Sequence, residues 1–244
     1  MNSYKLVIVG IRMDFADKAV EIILGRYDSL EYKAGIASIA SDPQKIYGAT
    51  DKIHAQAVLD WTCKLWGHQV DGNVPKALRI SAVGHDWERA FECERDKLEI
   101  YPHENGKPDL MWYAVHKSMH AHNSARILRR ELADIVPNQF MIDVTYIVTH
   151  HEIGGARCMG EMVNYPDFAT GKYNLNLASE ILKQGDSLAF FNGLDTYVEW
   201  RNPAKVRQKA SFMFDRVKDP QVRQWIKELD FESEFSREVV GSLG

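Results

Sequence analysis

The sequence predicts an all-α fold, on three observations. Apolar residues recur at a spacing close to 3.6 in one segment after another, as Val58, Trp61 and Leu65 illustrate. Proline or glycine separates these segments, and only Leu6 to Val9 has the pattern of a strand. We therefore expect one helical domain over residues 1–244.

The amino-acid composition limits the classes of partner that the protein is expected to bind. A hydrophobic content of 45%, a charged content of 26% and a formal net charge of -4 are typical of an ordinary globular protein and give no reason to expect a nucleic-acid polymer. No stretch approaches the roughly 20 apolar residues that span a bilayer, and the apolar run at the start is too short for a signal peptide. The three cysteines lack the spacing of a zinc site or a disulfide framework. We expect a cytoplasmic protein with no membrane partner.

The first third of the chain predicts two helices before the stretch that contains His85 and Asp86. Residues near 15–40 collect their apolar side chains on one side, and Asp42-Pro43 interrupts the pattern. Asp51 can cap a second helix, which carries His54 on or beside its apolar face.

A third helix, at about 75–98, follows a loop and carries a His-Asp doublet. Pro75 suits its first turn, and an apolar run leads to His85 and Asp86. A run this apolar is buried, so the doublet enters the interior. A buried aspartate without a partner costs several kcal/mol, which predicts a cation or a set of donors beside Asp86.

The rest of the chain alternates loops and helices. We expect a loop at 101–108, a helix at 109–135 bent near Asn123-Ser124, a second at 140–151, and a loop from Gly154 to about Asn174. Further helices begin at Leu175, at Pro203 and at Pro220. The Pro203 helix is basic and runs to about Val217, and the tail after the last helix is acidic.

Histidines and aspartates recur through these helices in a fixed order. A single histidine on a helix is more often a hydrogen-bonded core or surface residue, and Asp186, which follows a glycine, can simply cap a helix. The ordered set is what indicates a metal site inside a helix bundle. Its members are His54, His85, Asp86, His120, His150, His151 and Asp186.

This order of ligands resembles that of the HD-domain superfamily of metal-dependent phosphohydrolases. It is most similar to the six-ligand version that holds two metals, found in HD-GYP phosphodiesterases and in di-iron oxygenases such as myo-inositol oxygenase. The resemblance covers about residues 50–190, which leaves 1–49 and 191–244 as flanking helices.

Local sequence supports the resemblance. The stretch that begins at His120, His-Ala-His-Asn-Ser-Ala-Arg-Ile-Leu, is similar to the His-Pro-x-x-Gly-x-x-Ile-Leu helix of HD-GYP proteins, which favours His120 over His116 or His122. The run Thr149-His150-His151-Glu152 resembles their His-His-Glu. Ile153-Gly154-Gly155-Ala156 replaces the Gly-Tyr-Pro signature, so cyclic-dinucleotide hydrolysis is not implied.

The resemblance implies two divalent transition metals. One set of ligands holds the first ion, another holds the second, and Asp86 bridges them. His150 is an extra ligand or a donor behind the ligands. Imidazole and carboxylate suit iron or manganese, with nickel, zinc or cobalt as alternatives. The first set is His54, His85 and Asp186, and the second is His120 and His151.

The implied reaction is attack of a metal-bound hydroxide on a small phosphorylated metabolite or nucleotide, with Asp86 and Arg89 as catalytic residues. Arg89 lies where similar proteins carry a substrate-binding lysine and can clamp a phosphate, or it is an exposed arginine paired with an acid. Lys209 and Arg216 either line the mouth of the site or belong to a solvated face.

Other functions stay open. The same ligands serve a di-iron oxygenase, and a regulatory HD protein would bind its ligand without turnover. Alarmone hydrolases of the superfamily carry Glu-Asp where this chain has Arg89-Ala90, so that activity is disfavoured. A homodimer is compatible with the sequence.

Overall fold

The computed structural model describes residues 14–30, 32, 47–70, 72–91, 103–104, 107–108, 120–152, 173–200 and 202–244. Within these ranges the chain forms ten α-helices, and the predicted all-α fold is confirmed. None of the described helices is long and apolar enough to cross a bilayer.

The helices are α1 (Phe15–Arg26), α2 (Tyr47–Gln69), α3 (Lys76–Gly84), α4 (His120–Glu131), α5 (Asn138–His150), α6 (Leu175–Asn192), α7 (Leu194–Trp200), α8 (Pro203–Arg216), α9 (Pro220–Lys227) and α10 (Glu234–Gly241). A 3-10 helix, Trp87–Phe91, follows α3. The two-residue strands β1 (His103–Glu104) and β2 (Lys107–Pro108) pair antiparallel inside the predicted loop.

Helix α6 lies at the centre of the described bundle. Every residue from Ile181 to Phe191 is buried, as expected of a helix enclosed on all sides. It packs most extensively against α2 and also contacts α3, α5 and α8. Since α3 packs in turn against α1, α2 and α5, the helices that carry the candidate ligands surround one core.

The N-terminal helices differ from the predicted bounds. Helix α1 ends at Arg26, because the amides of Asp28 and Ser29 turn back to carbonyls three residues earlier. Helix α2 begins at Tyr47, so Asp51 lies inside the helix and does not cap it. Its carboxylate instead accepts a hydrogen bond of 2.6 Å from the buried Tyr32 hydroxyl. The predicted interruption at Asp42-Pro43 and the strand at 6–9 lie outside the described residues.

The predicted third helix breaks at the doublet. Helix α3 ends at Gly84, and His85 and Asp86 form the turn before the 3-10 helix. The amide of Glu88 donates to the Ser124 hydroxyl at 3.0 Å, so α4 holds the turn and the α-helical ladder does not continue. Pro75 is the residue that precedes α3. Residues 92–98 lie outside the described part.

The later helices agree more closely with their predicted bounds. Helix α4 runs unbroken from His120 and stops at Glu131, while 109–119 and most of the loop after Gly154 are not described. The Pro220 helix is not the last, because the acidic tail forms α10, capped by the Ser233 hydroxyl and anchored by buried valines.

Gly185 sets the distance between α2 and α6. A Cβ at this position would lie 2.4 Å from the Thr62 hydroxyl oxygen and 3.4 Å from the Val58 carbonyl oxygen. The backbones can approach this closely only without a side chain at Gly185. This approach sets Asp186, the next residue, against His54 on α2.

We expect Gly185→Ala to destabilise the protein by about 1–3 kcal/mol, since the methyl group overpacks this contact. Gly25→Ala is the matched control, because a Cβ there meets nothing within 4 Å in an exposed turn of α1. It should stabilise the protein by about 0.5–1 kcal/mol through helix propensity. Urea unfolding measures both, and a Gly185→Ala variant as stable as the wild type would contradict the close contact.

Candidate metal centre

Two groups of candidate ligands converge between α2, α3, α4, α5 and α6. The first joins His54, His85 and Asp186, whose ligand atoms all lie within 4.8 Å of one another. The Asp186 Oδ1 atom lies 3.2 Å from His54 Nε2 and 3.8 Å from His85 Nε2. These three side chains can face a single cation.

The second group consists of His120, His151 and Glu152, within the same limit of 4.8 Å. The Glu152 Oε1 atom lies 3.1 Å from His120 Nε2 and 3.9 Å from His151 Nε2. Glu152 was missed as a ligand by the sequence reasoning, although the quoted His-His-Glu resemblance contained the signal.

Asp86 lies between these two groups and forms a third, overlapping group with His85 and His151. Its Oδ2 atom is 3.7 Å from His85 Nε2, and its Oδ1 atom is 3.4 Å from His120 Nε2. One carboxylate oxygen therefore faces each group, which is the arrangement a bridging carboxylate needs.

Backbone carbonyls at the ends of two helices orient the buried histidines. The Nδ1 atom of His85 lies 2.9 Å from the Ala82 carbonyl oxygen, and that of His151 lies 2.6 Å from the Val148 carbonyl oxygen. A carbonyl only accepts, so each Nδ1 carries a proton, and in the neutral form of either imidazole Nε2 keeps a lone pair. Both Nε2 atoms are buried without a hydrogen-bond partner in the described part of the chain. A lone pair aimed into a carboxylate cluster fits a metal ion.

The ionisation states of His85 and Asp86 are also those that binding of a metal ion requires. Burial lowers the pKa of His85 to about 4, so the imidazole stays neutral at neutral pH. Burial opposes ionisation of Asp86, but the charge of the neighbouring Arg89 guanidinium outweighs it and holds the pKa of Asp86 below its usual range.

The other two carboxylates are also ionised. For Asp186, burial is outweighed by the hydrogen bond from His54 and by the charge of Arg216, so its pKa lies well below the ordinary value. A hydrogen bond from His120 lowers the pKa of Glu152 to about 2, with help from the charge of Arg216. Ionised carboxylates beside neutral imidazoles are the form in which both bind cations.

His150 does not join any of the three ligand groups found among the described residues. Its Nδ1 atom lies 2.7 Å from the Tyr146 carbonyl oxygen, and its ring stacks on the Tyr146 ring with 4.1 Å between centroids. The geometry thus gives no support to His150 as a ligand. His122 is exposed on α4, and His116 lies outside the described residues.

The three predicted substrate-binding cations occupy different places. Arg89 Nη2 lies 2.7 Å from Asp86 Oδ2 and its Nη1 lies 3.5 Å from Asp51 Oδ1, while the side chain is 46% exposed. Arg216, at the end of α8, is only 9% exposed and its Nη1 lies 3.2 Å from Asp186 Oδ2. Lys209 lies over the ring of Phe212, which is 54% exposed. Two of the three therefore contact candidate ligands.

No protein-family model, curated protein or solved structure matches the chain. The candidate ligands that recur in order along the sequence also lie close together in the fold.

We expect Arg216→Gln to lower the free energy of unfolding by about 3 kcal/mol, because it leaves the buried Asp186 carboxylate without its cation. Arg207→Gln is the control on the same helix. That guanidinium pairs with Glu238 at the surface, where the two side chains are 41% and 64% exposed, and such a pair contributes under about 1 kcal/mol. Urea unfolding with a chelator present measures both. Equal losses would show that the Asp186 pair is no more buried in solution than the surface pair.

Proposed function

We propose that this protein is a metal-dependent phosphohydrolase with an HD-type dinuclear site. The observation that carries the proposal is the pair of buried Nε2 atoms on His85 and His151, which have no hydrogen-bond partner among the described residues and face Asp86 between two groups of candidate ligands. Structural histidines in a core make use of both ring nitrogens, whereas metal ligands keep one lone pair for the ion.

The described residues that support this proposal would be divided between two ions. His54, His85 and Asp186 would hold the first ion, and His120, His151 and Glu152 the second, with Asp86 between them. Neutral imidazoles with carboxylates suit divalent iron or manganese, and also nickel, zinc or cobalt. Divalent ions held by these residues would lower the pKa of bound water and so would supply a hydroxide for attack on phosphorus.

Charge balance favours an anionic substrate. Two divalent ions bring four positive charges, of which three are neutralised by the carboxylates of Asp86, Asp186 and Glu152. One positive charge therefore remains. Without the carboxylate of Glu152, two would remain. Arg89 adds to the remaining charge from the Asp86 side, where its exposed guanidinium can turn from Asp51 towards a phosphate oxygen.

We expect the protein to bind two manganese ions and His151→Gln to weaken the binding of one of them by at least about 100-fold, because the variant loses a direct ligand. His150→Gln is the matched control, since the adjacent ring stacks on Tyr146 and belongs to no ligand group. Equilibrium dialysis with elemental analysis gives the stoichiometry and affinity of each variant. Equal metal binding by the two variants would contradict the assigned ligands.

We expect the manganese-loaded protein to release phosphate from at least one member of a panel of phosphorylated metabolites and nucleotides. Asp86→Asn should reduce this rate by at least about 100-fold, because the loss of the central carboxylate disturbs both ions. Phosphate release and oxygen uptake are measured in parallel with manganese and with iron. Oxygen uptake without phosphate release would favour the di-iron oxygenase, and tight binding without any product would favour a regulatory role.

A further inference from the structure

Arg216 uses only part of its guanidinium. Its Nη1 atom bonds Asp186 Oδ2 at 3.2 Å and the Met213 sulfur at 3.5 Å. Its Nε and Nη2 atoms are buried and have no hydrogen-bond partner in the described part of the chain. The side chain is more than nine-tenths buried, so water does not readily satisfy these two donors.

A purely structural role does not account for this geometry. A buried donor left unsatisfied costs about 1–3 kcal/mol, and an arginine that only neutralises a carboxylate gains most from a two-pronged pair. Arg216 instead meets Asp186 through one nitrogen. The two unused nitrogens form one edge of the planar group, and such an edge matches two oxygens of a phosphate.

The guanidinium that carries the unused edge contacts the candidate metal site through its Nη1 atom. That contact is with Asp186, a member of the first ligand group. The Arg216 guanidinium lies 5.7 Å from the ring centroid of the exposed Phe212, so it stands between the ligands and the surface.

We infer that Arg216 binds a terminal phosphate group of the substrate through Nε and Nη2 and thereby selects phosphomonoesters over phosphodiesters. This inference rests on the proposed function. A monoester carries up to two negative charges and three oxygens outside the ester bond, against one charge and two oxygens for a diester. The surplus charge of the metal site, together with Arg89 and Arg216, comes to three, which suits the dianion better.

Arg216→Lys tests the inference, because lysine keeps a positive charge for Asp186 but removes the two-nitrogen edge. The probe is inorganic phosphate, titrated calorimetrically into manganese-loaded protein of verified metal content. We expect the variant to bind phosphate about 10–100-fold more weakly, as for the loss of hydrogen bonds to a charged group. The ratio of kcat/KM for a phosphomonoester to that for its methyl diester should fall with it. Arg207→Lys, at the surface of the same helix, should change neither quantity.

The outcomes separate the two proposals. Metal-loaded Arg216→Lys with unchanged phosphate affinity and an unchanged ratio would overturn the role of Arg216 and leave the phosphohydrolase proposal standing. Metal-loaded wild type that neither binds phosphate nor releases it from any ester would overturn both. If the variant does not fold, a crystal of the metal-loaded wild type grown with phosphate decides. Phosphate oxygens within hydrogen-bond distance of Nε and Nη2 support the inference, and a phosphate bound elsewhere refutes it.

Discussion

The site depends on two hydrogen bonds from imidazoles to carbonyls at helix ends. His85 follows α3 and His151 follows α5, and each turns its Nδ1 back to a carbonyl three residues earlier. Carbonyls in the last turn of a helix lack the partners that the helix interior provides, so the imidazole supplies a donor there, and the Val148 carbonyl also accepts from the His151 amide at 3.4 Å. The bond from the imidazole fixes the tautomer and aims Nε2 inwards. The hydrogen bond that each imidazole makes at the end of its helix therefore also orients a candidate ligand.

Buried carboxylates impose the second constraint. Asp86 and Asp186 are almost fully enclosed, and each has an arginine beside it, Arg89 and Arg216 respectively. Removing a carboxylate from water is costly unless a cation compensates, and an arginine meets that need only in part. Two metal cations bound between the carboxylates would compensate these negative charges in place of the arginines. The arginines could then bind a substrate anion, and this links stability in the empty site to substrate binding in the loaded one.

Hydrophobic periodicity is sufficient to predict the helices with long apolar faces: α5 and α8 begin and end within a few residues of expectation, and α6 begins at Leu175 as predicted. It could not predict the break after Gly84, which depends on a tertiary bond from Glu88 to Ser124. The order of histidines and aspartates indicated which side chains would meet. Periodicity alone cannot choose between His150 and His151, because neighbours on a helix point about 100° apart and either can face the core. The place of Glu152 in the site and the ion pair between Arg216 and Asp186 can be identified only from the fold, because each depends on contacts between distant segments.

Anomalous scattering from a crystal grown with manganese would locate the proposed ions directly. We expect two peaks roughly 3.5–4 Å apart, with Asp86 between them, one beside His85 Nε2 and the other beside His151 Nε2. A site without anomalous peaks, with both Nε2 atoms bonded to water or protein groups, would contradict this expectation.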